Sequence, residues 1–423
     1  MRVAIIGAGI SGIVAARELC AEHEVAVFEA ASRVGGDART SEIQIGNQVV
    51  PVDTGFLIFN ECRYPRFGSL LRELGVATRD ADVSLTIQSD KPNLLFRGTT
   101  LRDLLRSGRN FTSPAFYATF RDLLRFARHA KHFSAVENVE FSLEDFISLK
   151  RYSPAFVDLY LVPMLAGVSQ MTREEILQLP LPYAFAFLNT HGLLQLTEPT
   201  GWKTVIGGAR AYMSKLTAPI EGFVHRNHCV VAISRAPDHV LIKFQDRPSQ
   251  RFDAVVLGTH ADQALSLLAD PTRPERRILG AFQYRARVGV LHTDRALLPT
   301  DASLWGSWNY RLTDAGTRTV AFTYNLSRLN GLTLPEPLLL TFNSPSVSPE
   351  HLLQTFDYQR VVLDRRSYLA QRSRSQINGV RRTYFCGAYW GNGFHEDAVA
   401  SAHAVVDLVR QDNALRIAET CGK

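Results

Sequence analysis

The residues nearest the amino terminus that could do chemistry are three glycines and an acid. Gly7, Gly9 and Gly12 fall within Arg2-Val-Ala-Ile-Ile-Gly7-Ala-Gly9-Ile10-Ser11-Gly12, and Glu29 ends the apolar run Val25-Ala-Val-Phe-Glu29. This spacing suits a bound dinucleotide. Gly7 permits a tight turn, Gly9 lets backbone approach a pyrophosphate, and Gly12 lets a helix pack close to the preceding strand. The helix amino terminus, at Ile10 and Ser11, presents free N–H groups and a positive dipole end to phosphates. Glu29 is placed to accept hydrogen bonds from a ribose. An ordinary βαβ unit would share the element order; the glycine spacing and the acid together favour the nucleotide.

A second set follows in Glu29-Ala30-Ala-Ser-Arg33-Val-Gly35-Gly36-Asp37-Ala-Arg39-Thr40. A nicotinamide-binding unit has no need of Gly35-Gly36. The pair lets backbone come close to a larger cofactor, and Arg33 is suited to offset phosphate charge. Pro51-Val-Asp53-Thr54-Gly55-Phe56 reads as an apolar strand ending in a small, backbone-exposing turn. Near the carboxyl end, the buried strand Tyr384-Phe-Cys-Gly387 turns through Ala388-Tyr389-Trp390 and a glycine-rich loop into a helix predicted over about 395–410. That helix begins Phe394-His395-Glu396-Asp397-Ala398.

The elements that must position these residues are spread along 423 residues, too many for one compact core, so two lobes are expected. The class is α/β, with a discontinuous Rossmann-type nucleotide domain from 1–58, 201–278 and 378–423. An α+β substrate domain takes 59–200 and 279–377. Within the middle nucleotide segment, Cys229–Ser234 and His239–Phe244 read as a hairpin, and Phe252–Gly258 as a buried strand. Hydrophobic residues are 46% and charged residues 21%, an ordinary globular profile. No apolar run reaches the roughly 18 residues that span a bilayer. The first strand starts at residue 2, leaving no room for a signal peptide. The cysteines, Cys20, Cys62, Cys229, Cys386 and Cys421, show no metal-ligand spacing and read as reduced thiols of a cytoplasmic protein. No metal site is expected.

Together these motifs resemble the FAD-dependent amine oxidase and phytoene desaturase superfamily. Gly7, Gly9, Gly12 and Glu29 match its dinucleotide motif, and Arg33, Gly35, Gly36 and Thr40 its Arg-x-Gly-Gly-x-x-x-Thr motif. The resemblance implies an amine-oxidase-like fold and FAD as cofactor. It implies that backbone at Val230 meets the adenine, that Thr259 follows a central strand, and that Gly387, Ala388 and the helix start at Phe394–Ala398 meet the flavin ring. Ile10, Ser11, Ala30, Arg39, Asp53, Thr54, Gly55 and Phe56 complete the expected cofactor contacts. One departure is visible: many members carry arginine directly after the glycine pair, where this chain has Asp37 and places Arg39 two residues later. A narrower likeness, through Pro51–Phe56, Gly201-Trp-Lys-Thr-Val-Ile-Gly-Gly-Ala-Arg210 and Gly387-Ala-Tyr-Trp-Gly-Asn-Gly-Phe-His-Glu-Asp397, is to flavoproteins associated with cyclopropane-fatty-acid synthases. It implies a lipophilic substrate and a lipid-modifying partner enzyme.

The resemblance implies hydride transfer from substrate to flavin N5, by an oxidase, dehydrogenase or desaturase. An amine oxidase, a double-bond isomerase and a non-catalytic flavoprotein partner are the alternatives. His395 is a flavin or substrate contact or a loop-fixing hydrogen bond. Tyr389 or Trp390 stacks over the flavin or simply packs. Glu396 and Asp397 are also ordinary first-turn helix acids; His191, His260 and His403 read as structural and Lys203 as solvated. The net charge is +6, and 97–132 alone holds eight basic residues against Asp103 and Asp122, interleaved with Leu, Phe and Tyr. This reads as an amphipathic, solvated lobe surface or as a peripheral contact with an anionic membrane at the inner face. No nucleic-acid module accompanies the charge.

Overall fold

The computed structural model describes residues 1–89, 94–97, 113–133, 139–190, 201–312, 320–342 and 347–421. Short, mostly apolar runs far apart in sequence form one five-stranded parallel sheet. Its spatial order is Val224–His225, Glu24–Phe28, Arg2–Ile6, Ala254–Leu257, Thr383–Phe385. Buried on both faces, these strands read as continuous hydrophobic runs. On one face the helix Ile10–Leu19 packs along the carboxyl-terminal helix His395–Cys421, with Ile13, Ala16, Val399, Ala402 and Val406 buried. The other face is covered by the antiparallel meander Val230–Arg235, Val240–Phe244 and Gln250–Phe252, where Phe28, Ile233, Ile242 and Val255 share a core. The predicted hairpin and last strand are therefore present. The carboxyl-terminal helix is longer than its sequence periodicity indicates, running to Cys421 rather than to about residue 410.

The second layer is a seven-stranded sheet. Its order is Leu352–Val361, Tyr284–His292, Leu339–Phe342, Val320–Asn325, Trp308–Leu312, Leu85–Ser89, Leu94–Arg97. All its pairings are antiparallel except Trp308–Leu312 with Leu85–Ser89. Helices among residues 114–190 pack on it through an aromatic cluster that includes Phe126, Phe146, Phe156 and Phe185. Capping boxes at Ser142/Asp145 and Thr172/Glu175 start two of these helices.

Residues 59–73 differ from the sequence-based division. Phe59 and Asn60 pair with Trp202–Val205. The helix Pro65–Glu73 buries Phe67, Leu70 and Leu71 in the core beneath the parallel sheet. The physical reason is local: an amphipathic helix settles on the nearest apolar face, here the carboxyl-terminal helix. Among the described residues no helix is long and apolar enough to cross a membrane.

Candidate active site

One cavity of about 920 Å³ lies at the carboxyl ends of the parallel strands and extends to the seven-stranded sheet. Strand ends of open α/β sheets are where ligands bind. Its floor is a glycine surface. Gly7 has φ +94°, and a Cβ on Gly12 would stand 2.0 Å from the Gly7 carbonyl oxygen, so strand and helix touch there. Gly9 is different: the nearest atom to a Cβ on it is 4.0 Å away, because that Cβ would point into open space. The glycine pair folds against it. Gly35 bridges Gly9, its N–H donating to the Ala8 carbonyl at 2.8 Å, and a Cβ on Gly36 would lie 3.4 Å from Gly9 Cα. The helix Ile10–Leu19 begins at Gly9 with no side-chain cap, so its first N–H groups are left for a ligand.

Glu29 accepts from the N–H groups of Ala8 (2.8 Å) and Ala31 (2.9 Å), which anchors the acid at the cavity edge beside Ala30. Arg33 donates to the Gly36 carbonyl at 3.0 Å; burial, then Arg39, lowers its pKa. Ile10, Ser11, Gly55, Phe56, Val230, Thr259, Gly387, Ala388, Phe394 and Ala398 also border the cavity.

Other residues that the sequence groups with the cofactor stand one layer behind. Gly12 sits under the turn. Asp53 accepts from Thr40 Oγ1 (2.5 Å) and the Ala209 N–H (2.8 Å), while Thr40 Oγ1 accepts from the Arg210 N–H (3.0 Å). The two side chains thus cap the helix Ala209–Thr217, whose own N-cap, Gly208, has no side chain to do so. Burial pushes Asp53 up to about 6. Thr54 accepts from the Tyr358 hydroxyl, and the Arg39 guanidinium lies 5.2 Å over the Phe356 ring. Glu396 accepts from the N–H groups of Arg66 (3.2 Å) and Phe67 (2.9 Å), capping the helix Pro65–Glu73. Asp397 accepts from Asn392 (3.0 Å) and Phe394 (2.9 Å) and fixes the glycine-rich loop; burial pushes it up to about 7.

His395 lines the cavity, stacks on Phe56 with ring centroids 3.7 Å apart, and has Nε2 2.8 Å from the Tyr212 hydroxyl. Burial, with Arg360 adding to it, pushes the imidazole down to about 3, so it is neutral at pH 7. Tyr389 borders the cavity, but its ring packs 5.0 Å from Phe282. Trp390 does not border it: the indole N–H donates to the Phe385 carbonyl at 3.0 Å and the ring packs on Phe282.

The far wall comes from residues without a motif. Leu57, Ile58, Val168, Met171, Trp308 and Tyr324 supply apolar and aromatic surface, and Arg360 enters from the edge strand. Trp202, in the segment Gly201–Arg210 that the sequence singles out, lines the cavity as well. His260 lines the cavity too, stacked 4.4 Å from Tyr284. Lys203 pairs with Asp80 (3.2 Å) and Glu61 (3.5 Å), and His403 with Glu18 (2.9 Å). His191 and most of the basic segment, 98–112, fall outside the described residues. Within the helix Pro114–Phe133, Arg121 and Arg125 are engaged by Asp122, which is fully buried. Burial alone would raise Asp122, but hydrogen bonds from Arg121, Ser153 and Arg125 hold it at about 2.

The donor set fits FAD: an uncapped helix end and a Cβ-free floor for a diphosphate, an anchored acid for a ribose, and a second glycine pair against the first. A family model for flavin containing amine oxidoreductase matches residues 10–342. Compared by sequence with curated proteins, the chain has no match. Among solved structures it is similar to the CLA-producing fatty acid isomerase from P. acnes, at 15% identity and TM-score 0.69, over 97% of this chain and 98% of that one. It is also similar to cyclohexylamine oxidase from Brevibacterium oxydans IH-35A, at 16% identity and TM-score 0.70, over 97% and 99%. Putrescine oxidase bound to putrescine gives 16%, 0.69, 97% and 99%. At these identities the likeness is one of fold. The family match spans most of the chain and begins in the glycine turn, and on that ground the chain belongs to the flavin containing amine oxidoreductase family, with FAD as its cofactor.

Proposed function

We propose that this FAD-dependent oxidoreductase takes a hydride from a lipophilic substrate, with an unsaturated or modified fatty acyl chain as the favoured class. When bound, FAD supplies the two-electron acceptor. The observation that carries the reading is the far wall of the cavity, where Leu57, Ile58, Val168, Met171, Trp308 and Tyr324 present apolar surface. Such a wall removes apolar substrate from water, at about 25 cal/mol for each Å² buried. An amine oxidase is the alternative: Trp390 lies outside the cavity lining, but Tyr389, Trp202, Trp308 and Tyr324 border it and could flank an ammonium group. The remaining residues hold and orient. Phe56 and His395 form a flat neutral wall, and the amino terminus of the helix His395–Cys421 favours negative charge beside it.

Double-bond isomerisation, in which hydride leaves and returns without net redox change, is the second reading. The fold shared with a protein described as a fatty acid isomerase favours it. Anaerobic mixing with a panel of free and esterified unsaturated fatty acids tests the substrate class. Bleaching of the visible flavin band, or a product of unchanged mass with no acceptor consumed, is the expected result. Peroxide release from amines with no response to any lipid contradicts it. We also propose that 97–132 brings the protein to an anionic membrane surface, which would deliver such substrates.

A further inference from the structure

Asp37 directly follows the glycine pair Gly35-Gly36. A cation reaches it from the other sheet. Arg360, on the strand Leu352–Val361, donates to Asp37 Oδ2 at 2.8 Å and to the Gly55 carbonyl at 3.1 Å. Its guanidinium lies 4.9 Å over the Tyr358 ring. Arg360 and Asp37 both border the cavity. A guanidinium has more N–H donors than these two bonds use, and the rest have no acceptor among the described residues. The arginine side chain is 25% exposed and the aspartate 42%, so solvent screens the anion more than the cation. The charge reaches His395, which Arg360 lowers after burial; at His260, burial lowers the imidazole first, Asp37 and Asp262 raise it, and Arg360 lowers it least.

We propose that Arg360 is the cation that faces the flavin side of this cavity, and that Asp37 is its positioning residue. The inference rests on FAD as cofactor and is independent of the substrate class. A fixed guanidinium in a partly dry cavity favours an anionic ring over a neutral one. Arg360 therefore tightens binding of reduced cofactor more than of oxidised cofactor. Paired to Asp37 and Gly55 at once, it holds a geometry that lysine, a single point donor, would not reproduce.

The test uses the purified flavoprotein and its Arg360→Gln, Arg360→Lys and Asp37→Arg/Arg360→Gln variants. The affinity of each for oxidised and reduced FAD is titrated, and the midpoint potential is read by equilibration with a reference dye. Arg360→Gln is expected to lose about tenfold more affinity for reduced than for oxidised FAD, a fall of ~30 mV for a two-electron couple. Arg360→Lys falls by less. The double variant, with a cation at position 37 instead, recovers most of the difference. Arg360→Met, with a neutral stem of similar length, gives the same comparison if the glutamine variant does not fold. Equal losses for the two redox states, or no loss, overturn the proposal and leave Arg360 as a strap between the two sheets.

Discussion

His395 offers a titration that the fold itself sets. The ring is buried against Phe56 and shares a hydrogen bond with the Tyr212 hydroxyl, and burial pushes it from 6.5 down to about 3. At pH 7 the imidazole is neutral in both the folded and the unfolded chain. Below pH 6.5 the unfolded chain takes up a proton that the folded chain refuses, so stability is lost as pH falls, until the folded group titrates near 3. Each pH unit in that window removes ~1.4 kcal/mol, so the loss reaches about 2 kcal/mol at pH 5. Asp53 and Asp397 run the other way. Burial raises them to about 6 and about 7, and their contribution is present below the ordinary carboxylate range and lost as pH rises through those values. Wild-type stability alone therefore mixes opposing slopes, and a difference is needed. His395→Gln keeps an amide to meet Tyr212 and removes the titrating group. In urea denaturation of the apoprotein, the stability advantage of wild type over His395→Gln is expected to be about 2 kcal/mol smaller at pH 5 than at pH 7. A gap that stays constant between the two pH values, or an imidazole NMR signal titrating near 6.5 in the native protein, means that burial does not hold His395 neutral.

The glycine surface separates two substitutions that look alike in sequence. Gly9→Ala leaves the apoprotein's melting temperature nearly unchanged but weakens FAD binding at least tenfold by titration, because its Cβ enters cavity space; Gly12→Ala lowers the melting temperature, because its Cβ meets the Gly7 carbonyl. Trp390→Phe gives up one N–H···O bond to Phe385, about 1 kcal/mol, and leaves the visible flavin spectrum unchanged; a spectral shift would place Trp390 against the ring after all. Replacing Arg102, Arg106 and Arg109 with glutamine reduces co-sedimentation with vesicles containing anionic lipid, by ~1 kcal/mol for each charge at low salt. Wild type that does not sediment with those vesicles removes the membrane proposal.

Legibility in the sequence followed range. The Gly7–Gly12 turn, the Gly35-Gly36 pair and the hairpin before Ala254–Leu257 are local patterns, and each appears where spacing places it. Thr40, Asp53, Glu396 and Asp397 sit within or beside those motifs, yet they spend their hydrogen bonds on helix ends and loop N–H groups of neighbouring segments. A motif position does not tell a residue that touches a ligand from one that holds the backbone that does. Arg360 was not legible at all. It reaches Asp37 across 323 residues of sequence, through a sheet whose strand order no local periodicity encodes. The same holds for Tyr212 against His395 and for the apolar wall at Val168, Trp308 and Tyr324. Segment 59–73 shows the same limit: which apolar face its helix Pro65–Glu73 covers is set by the distant carboxyl-terminal helix, which no local pattern encodes.

The glycine turn and the apolar wall at Val168, Trp308 and Tyr324 face one cavity, the place for the flavin. The most direct measurement is the flavin content of the purified chain, by absorbance and by chromatography of the nucleotide released on denaturation. Stoichiometric FAD is expected, recovered on reconstitution of the apoprotein and largely lost in Gly9→Ala. Protein that is correctly folded, colourless, and still unable to bind added FAD contradicts it.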